Sequence, residues 1–495
     1  MRPTMRLPEL RPSGQCSAHG RFRLARDSIM CRQIRKIKSS MTAEDQNDYE
    51  RFLEGITFFL RLAPKQVMEH LKLHKEDAFS QIRHFSGQGS ALCTRDGMNH
   101  LRLLVRRRIQ VLSNGKDFDY QEVVREIAEH IGPTLKAGVE TGEDAEDIFE
   151  RVLVSAFRTV QDQQKKSIYY YPCVLAGAKS PEEFSVGPVK FTVASLFESR
   201  LSSLSPTKMQ FDENVRNDEF INYIRQFGWI ASVNVPPCSP EISKNRAELA
   251  ARTAINIVRV WFGLGHGRRM RLVHTEPATS RFSKYLIEAD NKISLSWSRT
   301  AEGAPVVDGW FDQVDVEHHK LASWLLRDIV FDERMEITER LIDALSWFGD
   351  AAFEPSPGAK IAKLVMLLER LTTTTRKFSK KRFCRRVAIL AMNDDADFAA
   401  KYWTAYEFYN ARSAIAHGSS SQSSSEHWVA LREAQPLITN SIFRAMEVYS
   451  LVKFGRRPSL PRSLQAFFDQ QENRRSSLAG VLDIELAAKD RQRGF

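Results

Sequence analysis

The sequence has no run of about 18 consecutive apolar residues, the minimum length for a membrane-spanning helix. Its six cysteines include no C-x-x-C pair, which argues against a zinc site and against a disulfide framework. No paired carboxylates, nucleophile elbow or cysteine–histidine set stands out, and no glycine-rich segment carries the Lys-Ser/Thr of a phosphate loop. We therefore expect a cytoplasmic protein with reduced thiols, no membrane segment, no metal and no cofactor.

The positive charge of the chain is concentrated at its start. The formal net charge is +11, and residues 1–40 supply +8 of it through ten Lys/Arg against two Asp/Glu. This leader lacks the apolar segment of a secretory signal. Two interpretations remain open: an organellar presequence, or an upstream extension before a natural start at Met41. We favour the extension and expect residues 1–40 to be disordered or untranslated.

A length of 495 residues suggests about three domains, and 42% hydrophobic residues is a globular value. The patterning predicts an α+β multidomain protein. Its parts are a mostly helical region, an α+β domain, an all-α bundle and a charged, peripheral tail, over residues 41–165, 166–305, 316–455 and 456–495.

Periodicity supports these boundaries. Apolar residues at helical spacing, Val123 to Ile131, predict a helix that ends at Gly132-Pro133. Strands are predicted where apolar residues alternate, as from Trp229 to Val235. Helical stripes then recur without strand signals, as from Ile337 to Phe348.

The segment "YNARSAIAHG" carries the most informative pair of residues, Arg412 and His417. Gly418 is a typical residue just past a helix end, which places His417 in the last turn. The partial negative charge of that helix end favours the protonated imidazole, and a nearby guanidinium opposes it. This balance suits proton transfer near neutral pH.

An arginine, four residues, a histidine and a glycine at the end of a helix in a C-terminal bundle resemble the R-x(4–6)-H motif of HEPN domains. The flanking "YEFYNARSAIAHG" and the earlier "KIAKLVMLLERLT" are most similar to the ApeA-like HEPN subfamily, over about residues 317–455. The segment "YYYPCVLAG", followed by "VGPVKFTVASLF", also resembles the α+β region that precedes HEPN in such proteins.

This resemblance implies a metal-independent endoribonuclease that acts in anti-phage defence. The upstream region would sense a phage-derived trigger or regulate the nuclease. His417 would transfer protons and Arg412 would stabilise the phosphorane-like state. One motif per chain implies a symmetric homodimer that binds RNA. Some HEPN toxins carry a modified tyrosine two residues after the histidine. Here that position is Ser419, which argues against a nucleotidyltransferase partner.

Two neighbouring segments also bear on the function of this region. The basic stretch "RKFSKKRFCRR" supplies candidate RNA-binding residues, namely Arg376, Lys377, Lys380 and Lys381. A solvated helix face is the alternative interpretation. The serine tract that begins at Gly418 is predicted to be a flexible, variable loop, and His427 beyond it is predicted to be a surface residue.

Two further functional interpretations stay open. The first is a non-catalytic HEPN module for dimerisation or for binding RNA or a partner. The second is a helical scaffold in which Arg412 and His417 only cap and pair. Burial of Arg412 against an internal carboxylate such as Glu407 would favour the scaffold.

Overall fold

A computed structural model of the chain describes most of residues 42–492. The described residues are 42–60, 66, 79–83, 90–112, 114–175, 182–203, 210–211, 217–267, 270–272, 281–289, 292–300, 316–354, 356–374, 379–422, 424–454 and 463–492. The predicted leader, residues 1–40, lies outside them. The chain divides into two compact units, Met1–Gln164 and Lys165–Phe495.

The first unit is mainly helical. Its elements are α1 (Ala43–Leu60), β1 (Phe79–Arg83), β2 (Ser90–Thr94), α2 (Arg95–Gln110), α3 (Tyr120–Thr141) and α4 (Ala145–Gln163). β1 and β2 form an antiparallel hairpin. α1 and α2 approach closely at two glycines, because a Cβ at Gly55 would lie 2.9 Å from the Cα of Gly97. One apolar core, which includes Phe52, Val123 and Phe149, joins the helices.

The predicted end of α3 at Gly132-Pro133 is wrong, because the helix continues through Pro133 to Thr141. Proline has no N–H to donate to the carbonyl four residues earlier. That carbonyl belongs to the exposed Glu129, where water can satisfy it. The Thr134 hydroxyl donates to the carbonyl of His130 at 2.8 Å. Exposure of this turn therefore lets the helix pass the proline.

A buried charge network lies between α1 and α2. The Nε of Arg107 donates to Asp45 at 2.8 Å, and the Nδ1 of His100 lies 2.5 Å from Asp48. Arg108, which is 3% exposed, lies 3.6 Å from Asp45. Burial raises the pKa of Asp45, but hydrogen bonds from Arg107 and Thr42 and nearby positive charge hold it below its ordinary value. Buried charges of this kind are retained only when they are paired.

The second unit begins with a curled, mainly antiparallel sheet. Its strands are β3 (Lys165–Val174), β4 (Glu183–Val186), β5 (Val189–Val193), β6 (Gln210–Phe211), β7 (Trp229–Cys238), β8 (Arg271–Leu272), β9 (Arg281–Ala289) and β10 (Lys292–Thr300). Neighbouring strands follow the order β4-β5-β7-β3-β9-β10-β6, and β8 also pairs with β3. Only the β10–β6 pair is parallel among the described strands.

Side-chain alternation explains the central strands. Trp229, Ala231 and Val233 of β7 are buried at every second position, as predicted. In β3, Tyr169 and Tyr171 join the main core, whereas Tyr170 packs into a small cluster on the other face with Phe197. A strand covered on both faces favours such a continuous aromatic run. The helices beside the sheet are α5 (Ala194–Ser203), α6 (Asn217–Arg225) and α7 (Pro240–Gly267).

The rest of the described second unit is helical. Its helices are α8 (Val316–Val330), α9 (Glu336–Phe353), α10 (Pro357–Thr372), α11 (Lys380–Ala391), α12 (Phe398–Ala416), α13 (Glu426–Phe454), α14 (Leu464–Arg474) and α15 (Ser476–Gln492). The stripe from Ile337 to Phe348 on α9 is buried, as predicted. The predicted α+β class is therefore confirmed at the level of helices combined with a mainly antiparallel sheet. Within the described part of the chain, no helix combines the length and apolarity needed to cross a bilayer.

The described cysteines are free thiols. All four, Cys93, Cys173, Cys238 and Cys384, are buried and form no disulfide. Burial raises the pKa of the Cys93 thiol to about 12, so this thiol is protonated at neutral pH. Buried thiols of this kind pack as small core residues.

Candidate functional site at the end of helix α12

The end of α12 has the predicted geometry. The helix is regular through Ala416, His417 is its C-cap, and Gly418 follows with a left-handed φ of 73°. The N–H of His417 donates to the carbonyl of Ser413 at 3.0 Å, and the N–H of Ser419 donates to that of Ala414 at 2.9 Å. Only glycine takes such a φ without strain, so Gly418 sets the stop. The backbone of His417 is thereby fixed.

The side chains of Arg412 and His417 leave the helix in different directions. Five residues of regular helix separate them by about 140° in projection and about 7.5 Å along the axis. Arg412 is half-buried and His417 is exposed. Within one chain the two side chains therefore point to different sides of the helix end.

The second feature of this helix end is the environment of the Arg412 guanidinium. Its guanidinium carbon lies 6.0 Å from the centre of the Tyr409 ring, one turn earlier. It makes no hydrogen bond or ion pair with any residue that the structure describes. Glu407, the carboxylate that the scaffold interpretation needs, is exposed and does not pair with it. Within the described part of the chain, the five N–H donors of this guanidinium are therefore available to a ligand.

The serine tract is held in place by a histidine. The prediction of a surface histidine at 427 is wrong, since His427 is only 4% exposed. Its Nε2 lies 2.9 Å from the carbonyl oxygen of Ser421 and 3.2 Å from the hydroxyl of Ser420. On the other side, the carbonyl of Gln422 accepts from the N–H of Gly358 at 2.9 Å. We call residues 418–425 the serine loop.

The candidate RNA-binding residues fall into two groups. Arg376 and Lys377 lie outside the described residues. The Nζ of Lys380 lies 3.3 Å from the Oδ1 of Asn410, two residues before Arg412. It also lies 4.8 Å from the centre of the Tyr406 ring. The side chain of Lys380, which begins α11, therefore contacts α12 close to the start of the motif.

Lys381 is half-buried and forms no ion pair within the described part of the chain. The arginines that follow on α11 form ion pairs with residues of other helices. Arg382 lies 3.2 Å from Asp469 of α14, and Arg385 pairs with Asp483 of α15. This half of the basic stretch is neither a solvated face nor a free phosphate-binding surface.

Arg386 is the most buried of these arginines. Its side chain is 0% exposed, and its Nε donates to Glu472 of α14 at 2.7 Å. Its Nη1 donates to the carbonyl of Thr372 at 2.9 Å and to the hydroxyl of Thr374 at 2.7 Å. The predicted tail, residues 456–495, therefore contains two helices that neutralise the end of the basic stretch.

Sequence reasoning missed Glu369, in the last turn of α10. Burial raises the pKa of its carboxyl, and the positive charge of Arg412 partly offsets this rise. Burial and the negative charge of Glu369 likewise raise the pKa of the Tyr409 hydroxyl, while Arg412 lowers it. The signal in the sequence was a lone glutamate in the apolar stripe "LVMLLERLT". A charged residue at such a position lies at the edge of a core.

A metal ion has one possible set of ligands among the described residues, in the first unit. Ligand atoms of Glu126, Glu129 and His130 lie within 4.8 Å of one another. Two of these residues are exposed, and exposed acidic groups often lie this close without an ion.

Comparison of the chain with protein-family models, with curated proteins and with solved structures gives no match. The features that bear on function are therefore the helical C-terminal region and the geometry around Arg412 and His417.

Proposed function

We propose that the protein is a metal-independent endoribonuclease of the HEPN type, with Arg412 and His417 as its catalytic residues. The observation that carries the proposal is the guanidinium of Arg412, which makes no hydrogen bond or ion pair within the described residues and precedes by five residues an exposed histidine at a fixed helix end. A structural arginine would be expected to use its donors within the protein. An arginine that leaves them free suits recognition of an anion such as a phosphodiester.

RNA carries its own nucleophile, the 2′-hydroxyl beside the scissile phosphate. Attack of this oxygen on phosphorus forms a 2′,3′-cyclic phosphate and expels the 5′-oxygen. His417 donates a proton to the leaving oxygen, and Arg412 stabilises the added negative charge of the phosphorane-like state. DNA lacks the 2′-hydroxyl and is not a substrate for this step.

The two side chains need a second copy to meet around one phosphate, because they diverge by about 140° within a chain. A two-fold homodimer that apposes two α12 ends would bring Arg412 of one copy toward His417 of the other. Lys380 and Lys381 would then contact the flanking phosphates and make binding weaker as salt rises. In this proposal the residues before 316 restrain the nuclease until a phage-derived trigger acts.

The test uses purified protein, end-labelled RNA and excess chelator. We expect the wild type to cleave and to leave 2′,3′-cyclic phosphate or 3′-phosphate and 5′-hydroxyl ends. Arg412→Ala and His417→Ala should each lower the rate by about 100-fold or more. Arg432→Ala is the matched control, because Arg432 is exposed on α13 and makes no interaction within the described residues. Cleavage that requires a divalent metal, or that survives in both motif variants, contradicts the proposal.

The divergence of Arg412 and His417 within one chain also favours a second candidate, a non-catalytic HEPN module that binds RNA or a partner. For such a module, Arg412→Ala would weaken RNA binding while the wild type shows no cleavage. A binding assay in parallel with the cleavage assay separates the two candidates.

A further inference from the structure

Glu369 of α10 is the carboxylate whose charge interacts with Arg412 in the same chain. Glu369 lies in the last turn of α10, and α10 packs against α12, which carries Arg412. The side chain of Glu369 is half-buried, and its carboxylate makes no hydrogen bond or ion pair with the described residues. Its neighbour Arg370, by contrast, pairs with Asp343 at 2.7 Å. Within the described part of the chain, this carboxylate is therefore available to a bound ligand.

The side chains of Glu369, Tyr409 and Arg412 interact electrostatically where α10 packs against α12. Arg412 is the charged group that acts on Glu369 among the described residues, and both act on the hydroxyl of Tyr409. From α11, the ring of Phe383 packs 4.9 Å from the ring of Tyr409, and the Cys384 thiol also acts on that hydroxyl. Glu369, Tyr409 and Arg412 therefore form one cluster between α10 and α12, and Phe383 of α11 packs against it.

Resting on the proposed nuclease function, we propose that Glu369 is the general base of the reaction. Its carboxylate takes the proton from the 2′-hydroxyl as the bond from the 2′-oxygen to phosphorus forms. The bond from phosphorus to the 5′-oxygen then breaks, and that oxygen takes a proton from the imidazolium of His417. The carboxylic acid and the neutral imidazole return to their starting states by exchange with water. Atoms and charges balance without any other reactant.

The position of Glu369 suits this role for two reasons. A phosphodiester bound by Arg412 would bring its sugar close to the groups that surround the guanidinium, and Glu369 is the proton acceptor there. Burial moves the pKa of Glu369 upward from its ordinary value, toward the pH at which it has to work. A base whose pKa approaches the working pH transfers protons most effectively.

The test compares Glu369→Gln, Glu369→Asp and the control Glu433→Gln, an exposed glutamate on α13 without interactions in the described residues. We expect Glu369→Gln to lower kcat by about 100-fold or more while RNA binding is retained. The wild-type rate should fall at acid pH as the carboxylate is protonated. This acid limb should be absent in Glu369→Gln and present, at a lower rate, in Glu369→Asp. Thermal unfolding of Glu369→Gln should match the wild type, because the carboxylate makes no hydrogen bond or ion pair within the described residues.

The outcomes separate this inference from the proposed function. If Arg412→Ala and His417→Ala abolish cleavage but Glu369→Gln cleaves within about threefold of the wild type, the nuclease stands and the inference is overturned. An unchanged acid limb in Glu369→Gln overturns it as well. If the wild type does not cleave RNA, both proposals fall together.

Discussion

The Nε2 atom of His427, a buried residue in the first turn of α13, lies 2.9 Å from the carbonyl oxygen of Ser421. The same nitrogen lies 3.2 Å from the hydroxyl of Ser420. The serine loop follows His417 directly, so this contact fixes the chain just beyond the proposed proton donor. The described residues of the serine loop thus contact both α13 and the start of α10.

Replacement of His427 should release the serine loop. His427→Ala removes the imidazole that lies 2.9 Å from the carbonyl of Ser421 and leaves that carbonyl only the N–H of Ser424 at 3.1 Å, so it should cost about 0.5–1.5 kcal/mol in the free energy of unfolding. Glutamine carries an amide N–H at a similar distance along its side chain, so His427→Gln should lose less. Amide hydrogen exchange should also speed up at Gly358, whose N–H donates to the loop. Equal stability and equal exchange in the alanine and glutamine variants would contradict this account.

A second prediction concerns the contact between the serine loop and the start of α10. A Cβ added at Gly358 would lie 2.7 Å from the Cα of Gln422, which is closer than such atoms approach. Gly358→Ala should therefore destabilise the protein, although alanine is the better helix former. Gly480→Ala is the matched control in α15, where nothing lies within 4 Å of the new Cβ. It should stabilise by about 0.5–1 kcal/mol.

Both glycine variants can be measured by tryptophan fluorescence during urea unfolding. All eight tryptophans lie in the second unit, so the signal reports on that unit alone. A stabilising effect of Gly358→Ala equal to that of Gly480→Ala would show that the loop does not rest against α10.

A third prediction concerns the burial of Arg386 under α14. Glu472→Ala removes the carboxylate that lies 2.7 Å from the buried guanidinium and should cost about 3 kcal/mol. Glu447→Ala removes a carboxylate from an exposed pair with Arg444 and should cost at most about 0.5 kcal/mol. Urea unfolding followed by tryptophan fluorescence measures both. Similar losses in the two variants would mean that Arg386 does not depend on α14.

Part of the fold follows from the sequence, because local periodicity reports which side of an element is buried. The alternation from Trp229 to Val235 predicted β7, and the stripe from Ile337 to Phe348 predicted α9. Gly418 predicted the end of α12, since only a left-handed residue closes a helix in that way. These features depend on residues that are neighbours in the chain.

Other features depend on residues far apart in the chain, and the sequence does not reveal them. In the sequence, Arg386 is one of several basic residues in a polar stretch. Its burial depends on Glu472, which lies 86 positions away. The sequence predicts a surface residue at His427, beyond the serine tract, whereas the structure buries it. The interaction of Glu369 with Arg412 results from the packing of α10 against α12, which the sequence does not show. Pairing across helices is a tertiary property that periodicity does not encode.

The central claim is that Arg412 of one copy and His417 of another act on one phosphate. Co-expression of Arg412→Ala and His417→Ala chains with different tags tests it most directly. In a mixed dimer, one of the two sites retains both an intact arginine and an intact histidine. We predict that random mixing restores about a quarter of the wild-type cleavage rate, whereas each variant alone is inactive. A mixture that stays as inactive as its components would contradict the claim.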